Sequence, residues 1–155
     1  MNKKRRPFVM KKIIAAIVLF AFAGVIAFYL KDYIDRQNPD YAIPKMTVTA
    51  DSKEIPSVVS GYSWSFRFGD KVIKEETPIV ELSLERAILL GGEKLDISFS
   101  QPVNSIKVRI SDSYSYEMHD AEELVVPYES GGYIYEVYAD FESGAVLYYF
   151  YVVIE

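Results

Sequence analysis

The sequence predicts an all-β domain, an antiparallel β-sandwich, carried behind a single N-terminal transmembrane helix. Three observations lead there. Residues 13–30 form one unbroken apolar run with basic residues packed ahead of it. Beyond residue 45, apolar side chains recur at every second position, the period of a half-buried strand. Turn residues separate these runs at short intervals, as in layered antiparallel sheets.

The apolar run comes first. Ile13 to Leu30 is 18 residues without a charge. A helix of that length covers about 27 Å, close to the hydrocarbon thickness of a bilayer. Leu, Ile, Val, Phe and Ala fill it, Tyr29 stands near its far end as an interfacial aromatic, and Lys31 and Asp32 close it. Residues 1–12 hold Lys3, Lys4, Arg5, Arg6, Lys11 and Lys12 and no acid. Positive charge on one flank predicts a cytoplasmic N-terminus and an extracellular C-terminal domain, a single-pass protein of the cell membrane. A cleaved signal peptide is the alternative, because Ala21-Phe22-Ala23 fits the small-x-small rule for cleavage after Ala23. Against it, the chain stays apolar for seven residues past Ala23. A retained anchor is therefore expected. A pilin-type helix is disfavoured because the run holds no acid.

Residues 31–45, KDYIDRQNPDYAIPK, are polar and hold Pro39 and Pro44. They read as a short helical exit from the membrane followed by an extended linker. The expected organisation is thus a basic tail over 1–12, a membrane helix over 13–30, a linker over 31–45 and a β-domain over 46–155.

Within the domain, MTVTA (46–50) reads as the first strand. Leu95, Ile97 and Phe99 alternate with Asp96 and Ser98 in a second clear strand, and Ile106, Val108 and Ile110 alternate with Lys107 and Arg109 in a third. Gln101 to Asn104 separates them as a turn. Tyr133, Tyr135, Val137 and Ala139 share one face of YIYEVYADF. AVLYYFYVVIE is apolar on both faces and should be a central strand, joined to the previous one through Phe141-Glu142-Ser143-Gly144. Gly91-Gly92 and Gly131-Gly132 mark further turns. Helix signals are scarce, and the ambiguous ELSLERAILL (81–90) is expected to be extended.

Two resemblances add to this reading. Glu129-Ser130-Gly131-Gly132-Tyr133-Ile134-Tyr135 has acid-x-Gly-x-Tyr-x-Tyr spacing. It resembles the tyrosine-corner segment of immunoglobulin-like domains, with Tyr135 where such domains often hold Cys. That resemblance implies an immunoglobulin-like sandwich and nothing about function. The second spans roughly residues 46–155 and rests on Lys53-Glu54-Ile55-Pro56, Gly61-Tyr62-Ser63-Trp64, the run from Gly91 to Pro102, and the Tyr-x-Tyr-x-Val before a Gly-led last strand. Together these resemble a group of small membrane-anchored extracytoplasmic proteins of Gram-positive bacteria, and the resemblance implies no catalytic residues.

Composition excludes several chemistries. Half the residues are hydrophobic and 15% are aromatic, including 13 Tyr, which argues for a folded core rather than a disordered chain. There is no Cys, so disulfides, thiolate metal sites, a Cys nucleophile and N-terminal lipidation on Cys all fall away. Beyond residue 12 the remaining 143 residues carry 11 basic and all 22 acidic side chains. A basic head on an acidic body does not bind nucleic acid by phosphate neutralisation.

Each candidate site in the sequence also has a plainer structural role. Gly61 to Phe66 holds the only Trp, and Tyr62 and Trp64 with Arg67 alongside would suit stacking on a glycan or peptide. Their spacing fits a strand with Tyr62, Trp64 and Phe66 in the core better. Tyr128, Tyr133, Tyr135, Tyr138, Tyr148, Tyr149 and Tyr151 crowd the last two strands, where outward members such as Tyr138 and Tyr148 would form an aromatic strip or stabilise the sheet by cross-strand pairing. Glu117 to Glu123 surround the sole His, His119, yet lack EF-hand or zinc spacing, so no metal or cofactor is expected. No Gly-x-Ser-x-Gly elbow and no phosphate loop is present, and no catalytic residue is expected.

The expected function is a non-enzymatic surface protein. Residues 13–30 engage the lipid bilayer, and the outer domain binds or props an envelope protein or cell-wall polymer. The alternative is a regulatory or sensory accessory whose helix meets a membrane partner through the small residues Ala15, Ala16, Ala21, Ala23, Gly24 and Ala27. A hydrolase using surface carboxylates is the weakest reading.

Overall fold

The computed structural model describes residues 6–111, 116–119 and 124–155. It divides into two compact units, Met1–Ala42 and Ile43–Glu155.

The first unit is helical. Helix α1 spans Arg6–Gln37, and its stretch from Met10 to Gln37 is long and apolar enough to cross a membrane. None of its most apolar window is buried by protein, which leaves that surface for another apolar medium. The helix runs seven residues past the apolar run instead of stopping there. Lys31 pairs with Asp35 at 3.0 Å and Arg36 with Asp32 at 3.5 Å, both at i,i+4 spacing, and the Arg36 guanidinium lies 5.9 Å from the Tyr33 ring centre. Helix α1 ends where Pro39 disfavours the α conformation at Asn38. Pro39 then opens a four-residue helix, α2 (Pro39–Ala42). The expected extended linker is therefore mostly helical, because ion pairs and a proline at a first-turn position both favour the helix.

The second unit is a β-domain. Its strands, in chain order, are β1 (Met46–Ala50), β2 (Lys53–Ile55), β3 (Ser57–Ser65), β4 (Lys71–Lys74), β5 (Arg86–Leu89), β6 (Leu95–Phe99), β7 (Ser105–Ser111), β8 (Tyr116–His119), β9 (Gly131–Phe141) and β10 (Gly144–Ile154). One sheet has the order β2-β1-β6, and the other runs β4-β3-β10-β9-β7-β8. Every pairing is antiparallel except one, since β5 lies parallel to the last four residues of β10. The chain leaves the small sheet at Pro56, which cannot donate to a ladder. A turn with left-handed Asp51 and Ser52 joins β1 to β2, a role that short polar side chains fill well.

The two sheets face each other across aromatic side chains. Phe99 of the small sheet meets Phe141 and Tyr148 of the large one, with ring centres 5.5 and 5.7 Å apart. Trp64 packs edge-on to Phe141 at 5.8 Å, and Tyr135 stacks on Phe150 at 4.5 Å. Such contacts exceed the value of area burial alone by about 0.5–1.5 kcal/mol each. The domain begins at Ile43, three residues ahead of the expected start. Ile43 and Pro44 are buried, and the Tyr148 hydroxyl donates to the Pro44 carbonyl at 2.6 Å inside the core.

The strand alternations expected in β1, β6, β7 and β9 all occur, and β10 is central, flanked by β9 on one side and by β3 then β5 on the other. Gly131-Gly132 differs from expectation. These glycines are not a turn but the first two residues of β9, paired with Ile154 and Val153, and the bend precedes them at residues 128–130. Residues 81–90 are extended as expected, apart from a single 3-10 turn at Ile79–Glu81.

Candidate binding surface

The sequence singled out five surface residues, and the domain separates them. Tyr62, Trp64 and Tyr148 are 8, 4 and 1% exposed, with their side chains in the core. Period-two spacing explains this, since Tyr62, Trp64 and Phe66 all fall on the inward face of β3 and its extension. They give no platform to a ligand. Arg67 and Tyr138 remain on the surface, Arg67 in the β3–β4 connection and Tyr138 outward on β9, between Lys107 of β7 and Leu147 of β10. Tyr133 and Tyr135 are core residues as well. The acidic stretch around His119 falls largely outside the described residues. Among the described residues no cluster of three or more His, Cys, Asp or Glu side chains has metal-binding geometry.

A site that the sequence did not single out lies on the outer face of the large sheet. After β4 the chain crosses that face as a strap, residues 75–85, before entering β5. A β-bulge places the strap. Between Leu147 and Tyr148 the β10–β3 register slips, leaving Ser60 of β3 without a partner position. Ser60 is fully buried and turns its bonding capacity to the strap. Its Oγ donates to the Thr77 carbonyl at 3.0 Å, while the Thr77 amide and hydroxyl both donate to its carbonyl at 3.3 Å. Gly61 lies directly beneath, where a Cβ would stand 3.0 Å from the Glu76 Cα. Tyr149, outward on β10, is buried under the strap and donates to Glu76 Oε1 at 2.9 Å. Burial pushes its phenol pKa strongly up, and the nearby Glu76 and Glu136 carboxylates add to this by favouring the neutral, donating form.

Beyond Thr77 the strap lifts away and leaves a groove of about 460 Å³. Ile79, Leu82 and Leu84 form the strap wall, and Ser111, Gly132, Ile134 and Tyr151 form the floor. Gly132 has a steric role here, because a side chain at that position would collide with the Tyr151 ring and hydroxyl. The described lining carries apolar groups and hydroxyls, with no carboxylate or amine. That lining suits apolar contact with a few hydrogen bonds. The sequence signal was the spacing of Ile79, Leu82 and Leu84 just after Thr77-Pro78, of which only residues 81–90 were read, as extended.

A smaller hollow of about 390 Å³ lies at the C-terminal end of β10, between the β1–β2 turn, β5 and Glu155. Lys53 Nζ closes part of its rim by donating to the Ile88 carbonyl at 3.0 Å.

Comparisons with protein families, with curated proteins and with solved structures gave no match for this chain.

Proposed function

We propose that this is a single-pass envelope protein, with α1 as a retained anchor, its N-terminus in the cytoplasm and its β-domain outside. The domain serves there as a non-catalytic binding or structural module for an envelope protein or cell-wall polymer. The observation that supports this reading most directly is the pairing of an unburied apolar helix, led by six basic residues, with a domain that has its own aromatic core and an apolar groove. We read the domain as an immunoglobulin-like sandwich. Three features support that reading: the Tyr133 hydroxyl donates to the Glu129 carbonyl four residues upstream at 3.0 Å, β9 and β10 form a terminal hairpin, and β7 lies beside β9. Recognition runs through the groove under Leu82 and Leu84, where a partner's apolar side chains find cover.

The test uses epitope tags at both ends in intact cells. Added protease should remove the C-terminal tag and spare the N-terminal one. Leu82→Asp should abolish partner cross-linking while leaving thermal unfolding of the domain nearly unchanged. A sheltered C-terminal tag, or a groove variant that keeps its cross-links, overturns the corresponding half of the reading.

A further inference from the structure

The strap over the outer face of the large sheet is held in two different ways. Its first part is tied down by hydrogen bonds. Thr77 and Ser60 exchange three of them, and Glu76 accepts a fourth from the buried Tyr149 hydroxyl at 2.9 Å. Lifting this part would break all four bonds at once. From Pro78 onward the bonding closes on the segment itself. The Glu81 amide donates to the Pro78 carbonyl at 2.9 Å, the Leu82 amide to the Ile79 carbonyl at 3.1 Å, and the Leu84 amide to the Leu82 carbonyl at 2.9 Å. Among the described residues, no hydrogen bond or ion pair joins residues 78–85 to the sheet. Ladder bonding resumes at Arg86, the first residue of β5 and the register partner of Tyr151.

Apolar contact alone therefore holds residues 78–85 down. Ile79, Leu82 and Leu84 are half-buried where they border the groove. Val80 is 92% exposed, and Pro78, Glu81, Ser83 and Glu85 are exposed beside it. The three internal bonds brace the segment as one body, a 3-10 turn at Ile79–Glu81 followed by a tight turn from Leu82 to Leu84. Moving that body breaks none of them. It gives up only the contacts of three side chains that already border open space. Segments of this kind occupy the low end of local stability in a folded domain. The pivots are defined as well. At one end the Pro78 ring fixes φ at −55°, so rotation falls to the ψ torsions of Thr77 and Pro78. At the other end Glu85 stands just before the β5 ladder.

We propose that residues 78–85 form a hinged lid over the groove, which lifts as one body between the fixed points Thr77 and Arg86. Closed, it covers the floor at Ile134 and Tyr151 with Ile79, Leu82 and Leu84. Lifted, it opens that floor to a partner. The lid deepens the reading of the groove as the recognition site by adding how access to it is controlled.

The absence of Cys makes the test direct, because an introduced Cys is unique. Full-length protein in lipid nanodiscs is labelled with a maleimide carrying a long polyethylene glycol chain. The thiol is placed at Ile134→Cys on the floor, at Val80→Cys on top of the lid, and at Tyr138→Cys. Tyr138 lies on the same face of β9 as Ile134 but outside the groove, and is 47% exposed. Positions 80 and 138 should label rapidly. Position 134 should label to completion, about tenfold or more slowly, at a rate that urea too dilute to unfold the domain does not change. Leu82→Ser/Leu84→Ser weakens the hold of the lid and should raise the rate at 134 to that at 138, without moving the rate at 138. Ile79→Ser, a milder change, should raise it part of the way. Equal rates at 134 and 138 in the parent protein overturn the proposal, because nothing then covers the floor. No labelling at 134 overturns it too, because the segment then never lifts. A rate at 134 that climbs with dilute urea, or that neither variant raises, assigns access to global unfolding and overturns it as well. Partner cross-linking reports the recognition reading separately. A lid that labels as expected without partner cross-links leaves the lid standing and overturns recognition at the groove, and the reverse result overturns the lid alone.

Discussion

Tyr135 and Tyr148 allow a decisive comparison, because the same substitution should move stability in opposite directions. Both are core residues, at 0 and 1% exposure, on adjacent strands of the large sheet. The Tyr148 hydroxyl donates to the Pro44 carbonyl at 2.6 Å and ties the incoming chain to the core. Tyr148→Phe leaves that carbonyl without its donor, at a cost of about 1–3 kcal/mol. The Tyr135 hydroxyl is buried with no hydrogen-bond partner among the described residues, while its ring stacks on Phe150 at 4.5 Å and 10°. Tyr135→Phe keeps the stack and removes an unsatisfied polar group, so it should be neutral or stabilising by about 1 kcal/mol. The two variants should differ by about 1–4 kcal/mol. For a domain of this size that is a Tm difference of roughly 4–16 °C, at about 4 °C per kcal/mol. Thermal unfolding followed by near-ultraviolet circular dichroism of the Ile43–Glu155 unit reads it directly. If Tyr135→Phe loses as much stability as Tyr148→Phe, the assignment of bonded and unbonded hydroxyls is wrong, and with it the account of how residues 43–45 are held.

Three further outcomes follow from the structure. The phenols of Tyr135, Tyr148 and Tyr149 are all pushed above their ordinary value of 10.0, chiefly by burial. A raised folded-state pKa contributes stability that is complete below pH 10 and is lost as pH climbs through the folded values. The domain should therefore hold its Tm from neutrality to about pH 9 and lose it steeply above pH 10, with buried tyrosinate absorbance appearing together with unfolding. Gly144 opens β10 with φ of 151°, and a Cβ there would drive into the Ser63 carbonyl. Gly144→Ala should cost more than about 2 kcal/mol in denaturant unfolding. Gly24→Ala in α1, with nothing within 4 Å, should leave domain unfolding unchanged.

Much of the fold was legible because it depends on local pattern. Ile106, Val108 and Ile110, or Tyr133, Tyr135 and Val137, declare an inward face by period alone. The run from Val146 to Val153 declares a central strand because it has no polar face to give water. What stayed hidden depends on pairings between distant residues. Nothing near Ser60 announces that the register slips there, since a bulge is a relation between β3 and β10 and not a property of either sequence. Nothing near Arg86 announces that β5 lies parallel to β10, because the strand is short and its partner lies 65 positions on. The groove was missed for the same reason, as its wall and floor come from residues 79–84, 111, 132–134 and 151. The distinctive Gly-Tyr-Ser-Trp stretch drew attention to residues whose rarity reflects core packing.

The bulge at Ser60 also explains how this domain tolerates a last strand without a polar face and without any disulfide. A strand apolar on both sides needs cover on both sides. The inner face of β10, with Val146, Tyr148, Phe150, Val152 and Ile154, receives it from the core. Its outer face would leave Tyr149 in water, but the bulge turns Ser60 outward to bond Thr77, and the strap so held buries Tyr149. The β3 pairing ends at Ser57 with Phe150, and the slip accounts for one of the four residues of β10 left over for β5. One extra residue in β3 thus helps place both the strap that covers β10 and the groove wall that continues from it. Deleting Ser60 would remove the bulge together with the bonds that hold Thr77, so Tyr149 should gain solvent exposure, read as stronger quenching of its fluorescence or faster chemical modification.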